Sequence, residues 1–171
     1  MTGSCNMNHA AAESYLIDWI VKDLSVPHEQ LGGLSKCPFA RKAYLDGKVR
    51  FQTVGNDPLQ EIIAAAEAWD DSVDVQVFIL PDTITPDSLW SLMDAVNQEY
   101  MPRDLVFLDD HKSVPEQQLG LSFNNGRYNL LMMQRLSKLD LASRKLKMLH
   151  YYDRWTKDYL DQVVSWRSGR T

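Results

Sequence analysis

Cysteine is scarce: Cys5 and Cys37 are the two in a chain of 171 residues. Two thiols so far apart in sequence exclude a disulfide-stapled scaffold and are read as the reduced cysteines of a cytoplasmic protein. Long apolar runs are lacking too. None approaches the ~20 residues of a membrane helix, so no membrane partner is expected. The start, "MTGSCNMNHAAAES", has neither the basic opening nor the apolar block of a secretory signal. Positive charge is in deficit, with a formal net charge of -5. That argues against a nucleic-acid binder built on a broad basic face, although "SRKLKMLHYYDR" is locally basic. No Gly-rich phosphate loop, paired zinc-ligand motif, serine elbow or internal repeat occurs.

What is present is an ordinary globular composition, 44% hydrophobic and 24% charged, in a chain long enough to bury one core. One domain over 1–171 is expected, with residues 1–11 frayed and 137–168 helical. "ESYLIDWIVKDL" puts Leu16, Trp19, Ile20 and Leu24 on one helical face. Pro27 and Gly32-Gly33 then open the loop that carries Cys37.

"KVRFQTV" (Lys48–Val54) reads as a strand. In the helix after it, Asp57 is the expected N-cap, Pro58 the first helical residue and Gln60 the closing member of a capping box. Leu59, Ile62, Ile63, Ala66 and Trp69 form its buried stripe. "VDVQVFIL" is apolar on both faces at one end, as a central strand is. Thr85 and Pro86 open a second helix with Leu89, Leu92, Met93, Val96 and Tyr100 at helical spacing. "DLVFLDDHK" is a third strand. "RYNLLMMQRL" is read as a fourth, of unassigned direction, because Ser137 to Asp140 after it forms a new capping box.

Strand and helix alternating over short connections signal parallel pairing through right-handed crossovers. The expected fold is α/β: a mixed sheet of about four strands with a largely parallel βαβαβ core and N- and C-terminal helices packed on it. A ferredoxin-like α+β arrangement is the alternative, should "GLSFN" add a strand.

In such sheets ligands sit beyond the carboxyl ends of the strands, near helix N-termini. "GNDP", "PDTITP" and "DDHKSVP" are the loops placed there. Asp110 and His111 are the candidate acid–base pair, next to Asp109. These groups could equally ligate a metal, with a further ligand from Asp57, Asp82 or His150. Cys37 precedes a proline and lies among Lys36, Arg41 and Lys42, so it is either a pocket thiol with a lowered pKa or an apolar plug. A Cys-Pro pair is also one form of haem-binding motif. Asp82, Asn125, Arg127 and Arg135 are candidate substrate contacts, since a guanidinium fork matches a carboxylate or phosphate. Asn125-Gly126 is also a tight-turn signal.

The stretch "CPFA" (Cys37–Ala40), after an N-terminal helix and before "GKVRF", resembles an uncharacterised bacterial family of small proteins. "FILPD", "FLDDHK" and "NNGRYNLLMMQR" occupy the family's later landmarks, over about residues 13–136. The family's loop puts histidine directly after phenylalanine, whereas Leu108, Asp109 and Asp110 separate Phe107 from His111. The resemblance implies the order of elements and a bacterial cytoplasmic setting, and carries no activity.

The expected function is a small enzyme that acts on a polar, anionic metabolite by acid–base chemistry at the strand ends. Its alternatives are a non-catalytic accessory protein, which docks on a partner or its own copy through Tyr151 and Trp155 of the C-terminal helix, and a haem- or metal-binding protein.

Overall fold

The computed structural model describes residues 8–169. Cys5 and most of the segment expected to be frayed lie outside them. Residues 9–11 are helical. Asn8 caps helix α1 (His9–Trp19) by accepting from the Ala11 amide at 3.3 Å, and Ala12 is already buried. One π-helical turn, Ile20–Leu24, extends it, and Leu16, Ile20 and Leu24 are buried at the spacing the sequence indicates. Gly32 and Gly33 both take left-handed backbone, which lets the chain reverse before helix α2 (Pro38–Leu45).

The core is a four-stranded sheet of mixed direction. Strand β1 (Val49–Thr53), helix α3 (Pro58–Glu67), strand β2 (Val75–Leu80), helix α4 (Pro86–Tyr100) and strand β3 (Leu105–Asp110) follow in turn. A two-residue hairpin, β4 (Gln117–Gln118) and β5 (Leu121–Ser122), precedes β6 (Asn129–Arg135), helix α5 (Leu136–Met148) and helix α6 (Lys157–Val163). The sheet order is β1-β2-β6-β3. β1 and β2 are parallel, whereas β6 is antiparallel to both β2 and β3.

The first three strands therefore run in one direction, as expected, but not side by side: β6 lies between β2 and β3. Its sequence explains the place it takes. "NLLMMQR" is apolar on both faces and largely buried, so it belongs in the middle of the sheet. The "GLSFN" segment adds no strand to this sheet, since β5 pairs only with β4.

Both crossover helices cover one face. Ile62, Ala66, Leu89, Val96 and Tyr100 pack on Phe78, Leu80, Phe107, Leu131 and Met133. Leu59 is the exception to the expected stripe and stays exposed. The opposite face, through Val75, Val77, Ile79 and Leu130, receives α1 and α2, and α5 closes over Val106 through Leu136. No helix among the described residues is long and apolar enough to cross a membrane.

Two caps differ from expectation. Asp57 sits at the N-cap of α3 without bonding to it, and Glu61 instead reaches back to the Gly55 amide at 2.7 Å. Helix α5 begins one residue before Ser137, and its cap comes from a distant turn. Asp104, in left-handed backbone, accepts from both the amide and the hydroxyl of Ser137 at 2.7 Å.

Candidate functional site

The exits of β1, β2 and β3 share one rim, and the start of β6 lies between the last two. The chain closes this rim with its own side chains. Asn129, fully buried, accepts from the Lys112 amide at 3.2 Å and donates to the Pro81 carbonyl at 3.1 Å, which ties the ends of β2 and β3 together. Lys112 Nζ pairs with Asp82 at 2.6 Å. His111 is buried, with Nε2 3.0 Å from the Ile84 carbonyl and Nδ1 accepting from the Ser113 amide at 3.1 Å. These partners require the proton on Nε2 and leave no free lone pair.

Asp110 and His111 are thus near in sequence but share no hydrogen bond. Adjacent strand residues point to opposite faces, and Asp110 turns toward the α1 side. There its Oδ2 accepts from the amide and the side chain of Asn125, at 3.0 and 2.7 Å. Asn125 Oδ1 in turn holds the amides of Arg127 and Tyr128. The sequence singles out both residues, and the structure joins them as the brace of a turn. Arg127 stacks over Tyr15 and Tyr128, at 4.9 and 5.6 Å from the ring centroids. Arg135 lies at the other end of the sheet, opposite Leu105, and pairs with Asp71 at 3.0 Å. It does not join the rim.

Beside Asp110 lies an acidic residue that the sequence reading passed over. Glu116 accepts from the Tyr159 hydroxyl at 3.0 Å. Burial, helped by the charges of Asp110 and Asp109, pushes its carboxyl up to about 6, against the opposing Tyr159 bond. Burial also raises Asp109 and Asp110, the latter in opposition to its Asn125 bonds. Among the described residues, no three His, Cys, Asp or Glu side chains are grouped so as to hold a metal ion.

A hollow of about 330 Å³ lies elsewhere, at Asn97, Gln98, Met101 and Pro102, and an apolar, half-open cavity with a volume of about 130 Å³ lies between α2, α5 and the C-terminal turn. Phe39, Leu108, Leu139, Leu146 and Val164 give it apolar walls. Cys37 lines it as well and is half-buried. The amides of Phe39 and Ala40 favour the thiolate, but burial outweighs them and raises the thiol above its ordinary range. A thiol so placed stays protonated. Tyr151, a docking residue only in the accessory alternative, is buried in this wall and donates to the Lys36 carbonyl at 2.6 Å and the Ser35 carbonyl at 3.2 Å. Trp155 packs between Phe123, Tyr151, Tyr152 and Tyr159.

The deepest polar group of the cavity is Arg167, 1% exposed. Its Nε donates to the Val164 carbonyl at 3.2 Å and its Nη2 to Ser143 Oγ at 3.0 Å. Nη1 has no hydrogen-bond partner, and its nearest carboxylate oxygen, on Asp140, is 3.8 Å away, too long for a hydrogen bond. Burial lowers the guanidinium from its ordinary range, against the pull of Asp140 and Tyr152. A lone arginine close to the C-terminus carries no sequence signal for this role. No protein-family model, curated protein or solved structure matches the chain.

Proposed function

We propose that this protein binds a small organic molecule in the cavity beneath its C-terminal turn. The observation that carries the reading is the composition of the walls. Residues from α2, β3, α5 and the C-terminal segment line a half-open space of about 130 Å³ that is apolar apart from a few polar groups. Pockets of this make-up are typical of small-molecule sites.

The strand-end crevice is the weaker place for a ligand, because Asn129, His111 and Lys112 already satisfy the groups a ligand would meet there. The test is a thermal-shift and native mass spectrometry screen with a library of small metabolites. Binding that Leu146→Trp abolishes supports the cavity. Binding that His111→Ala abolishes and Leu146→Trp leaves intact would return the site to the rim.

A second reading keeps the enzyme: acid–base chemistry on a polar, anionic metabolite in the cytoplasm. The observation in its favour is that Asp110 and Glu116, both with raised pKa, lie beside the Tyr159–Trp155 contact that backs the cavity. Perturbed carboxyls of this kind mark functional sites more often than chance. A ligand recovered chemically unchanged after long incubation identifies a binding protein. Conversion that Glu116→Gln stops identifies an enzyme.

A further inference from the structure

We infer that the outer edge of β1 is an interface: two copies of this chain pair their β1 strands antiparallel about a two-fold axis, Phe51 against Phe51, and join their sheets into one. The inference does not depend on the cavity.

The sheet has two edges, and the chain treats them differently. On the free side of β3, Asn97 donates to the Phe107 carbonyl at 2.9 Å and accepts from the Phe107 amide at 2.8 Å. At the other edge, β1 has β2 alone as a neighbour. Lys48 accepts from the Val75 amide at 3.1 Å, and Val54 donates to the Ile79 carbonyl at 3.0 Å. Every second residue bonds to a parallel neighbour, so Lys48, Arg50, Gln52 and Val54 turn their backbone toward β2. Val49, Phe51 and Thr53 therefore aim their amides and carbonyls outward. All three are partly exposed, and no described residue bonds to those backbone groups. The strand contains no proline. An edge left in this state is a template for another strand.

The residues around Phe51 fit a second copy. In an antiparallel pair centred there, Phe51 lies opposite the partner's Phe51, and Val49 opposite the partner's Thr53. These are the outward-facing residues, so each such pair exchanges two hydrogen bonds and no outward group is left over. A register one residue away would match outward groups with inward ones. The side chains agree with the backbone. Arg50, which is exposed, comes opposite the partner's Gln52, and Lys48 opposite the partner's Val54, so no like charges meet. Gln52 Oε1 accepts from Gln76 at 3.4 Å and has a second lone pair for a guanidinium. The two Phe51 rings fall on the α1 side of the sheet, where Phe51 already packs beside Val49 at the margin of the core. A contact of this kind is self-complementary, as a two-fold dimer requires.

The test is sedimentation equilibrium of the full chain over a dilution series through the micromolar range. The inference expects a dimer that dissociates on dilution. Thr53→Pro removes an outward N–H, costs no bond to β2, and should weaken the dimer at least about tenfold. Gln52→Glu still accepts from Gln76 and sets a carboxylate opposite the partner's Arg50. It should tighten the dimer about three- to tenfold at low salt, and Arg50→Glu added to it should weaken the dimer below the native chain. Should circular dichroism show that Thr53→Pro does not fold, the charge variants decide alone. A monomer at every concentration overturns the inference and leaves the edge to an extended peptide or to the chain's own first residues. A dimer indifferent to all three variants forms elsewhere and overturns it too. A dimer that Thr53→Pro splits but the charge variants leave unmoved pairs in another register, and the arrangement inferred here falls.

Discussion

The phenol of Tyr159 in α6 donates a 3.0 Å hydrogen bond to Glu116, in the loop after β3, and so ties the C-terminal helix to the rim of the sheet. Burial of that carboxyl, which outweighs the Tyr159 bond, gives stability a pH dependence of unusual sign. The carboxyl titrates at about 6 in the folded chain against 4.5 as reference. Between those values the unfolded chain releases its proton first, so it binds fewer protons and stability falls as pH rises. The displacement corresponds to about 2 kcal/mol. Glu116→Gln should therefore gain about 2 kcal/mol on the native chain between pH 4.5 and 7, in urea denaturation at both pH values. An unchanged difference between the two chains across that range would refute the assignment. Asp109 and Asp110 are coupled to this group, so the measured midpoint belongs to the set.

Asn97 protects an open edge of the sheet. β3 has β6 on one side only, and on its free side Asn97 donates to the Phe107 carbonyl at 2.9 Å and accepts from the Phe107 amide at 2.8 Å. One buried amide thus replaces a missing strand, where an unpaired edge would invite association. Asn97→Ala leaves a backbone donor and an acceptor unmet, which should cost roughly 2–5 kcal/mol. Chemical denaturation gives the loss, and light scattering should show association of the variant. A loss below 1 kcal/mol would mean that water substitutes for the amide.

The distant cap on α5 makes a sharper case. Asp104→Ala removes both bonds to Ser137 while keeping a side chain in left-handed backbone, so it should cost about 1–2 kcal/mol. Asp104→Gly also loses the bonds but relieves the backbone, and should fall between alanine and the native residue. Equal losses for the two would show that backbone strain contributes nothing there.

Cys37 should be slow to react in the native state. With a half-buried thiol raised above its ordinary range, alkylation at pH 8 should be at least severalfold slower than in urea, as peptide mass mapping of Cys37 would show. A ligand in the cavity should slow it further. Native labelling as fast as in urea would mean that the α2 loop opens readily.

Much of the frame is legible in the chain. Leu89, Val96 and Tyr100 fall on the buried side of α4 because helical spacing leaves no other face for them. Pro58 and Pro86 open α3 and α4 where their fixed backbone angles permit. The candidate site was legible only in pieces. Asp110, Asn125 and Cys37 stand out as residue types, yet nothing local says that Asn125 braces Asp110 or that Cys37 faces α5. Glu116, Asn97, Asn129 and Arg167 are single polar residues whose importance lies mainly in partners 10 to 48 positions away.

Alternation of strand and helix, the reach of each buried stripe and the apolar character of "NLLMMQR" were determined by the sequence itself, because backbone geometry converts spacing directly into faces. The insertion of β6 between β2 and β3, the sealing of the rim and the burial of Arg167 in an apolar cavity were decided by tertiary structure. Each depends on which distant groups can satisfy one another's hydrogen bonds and charges once water is removed, and spacing along a chain holds no record of that.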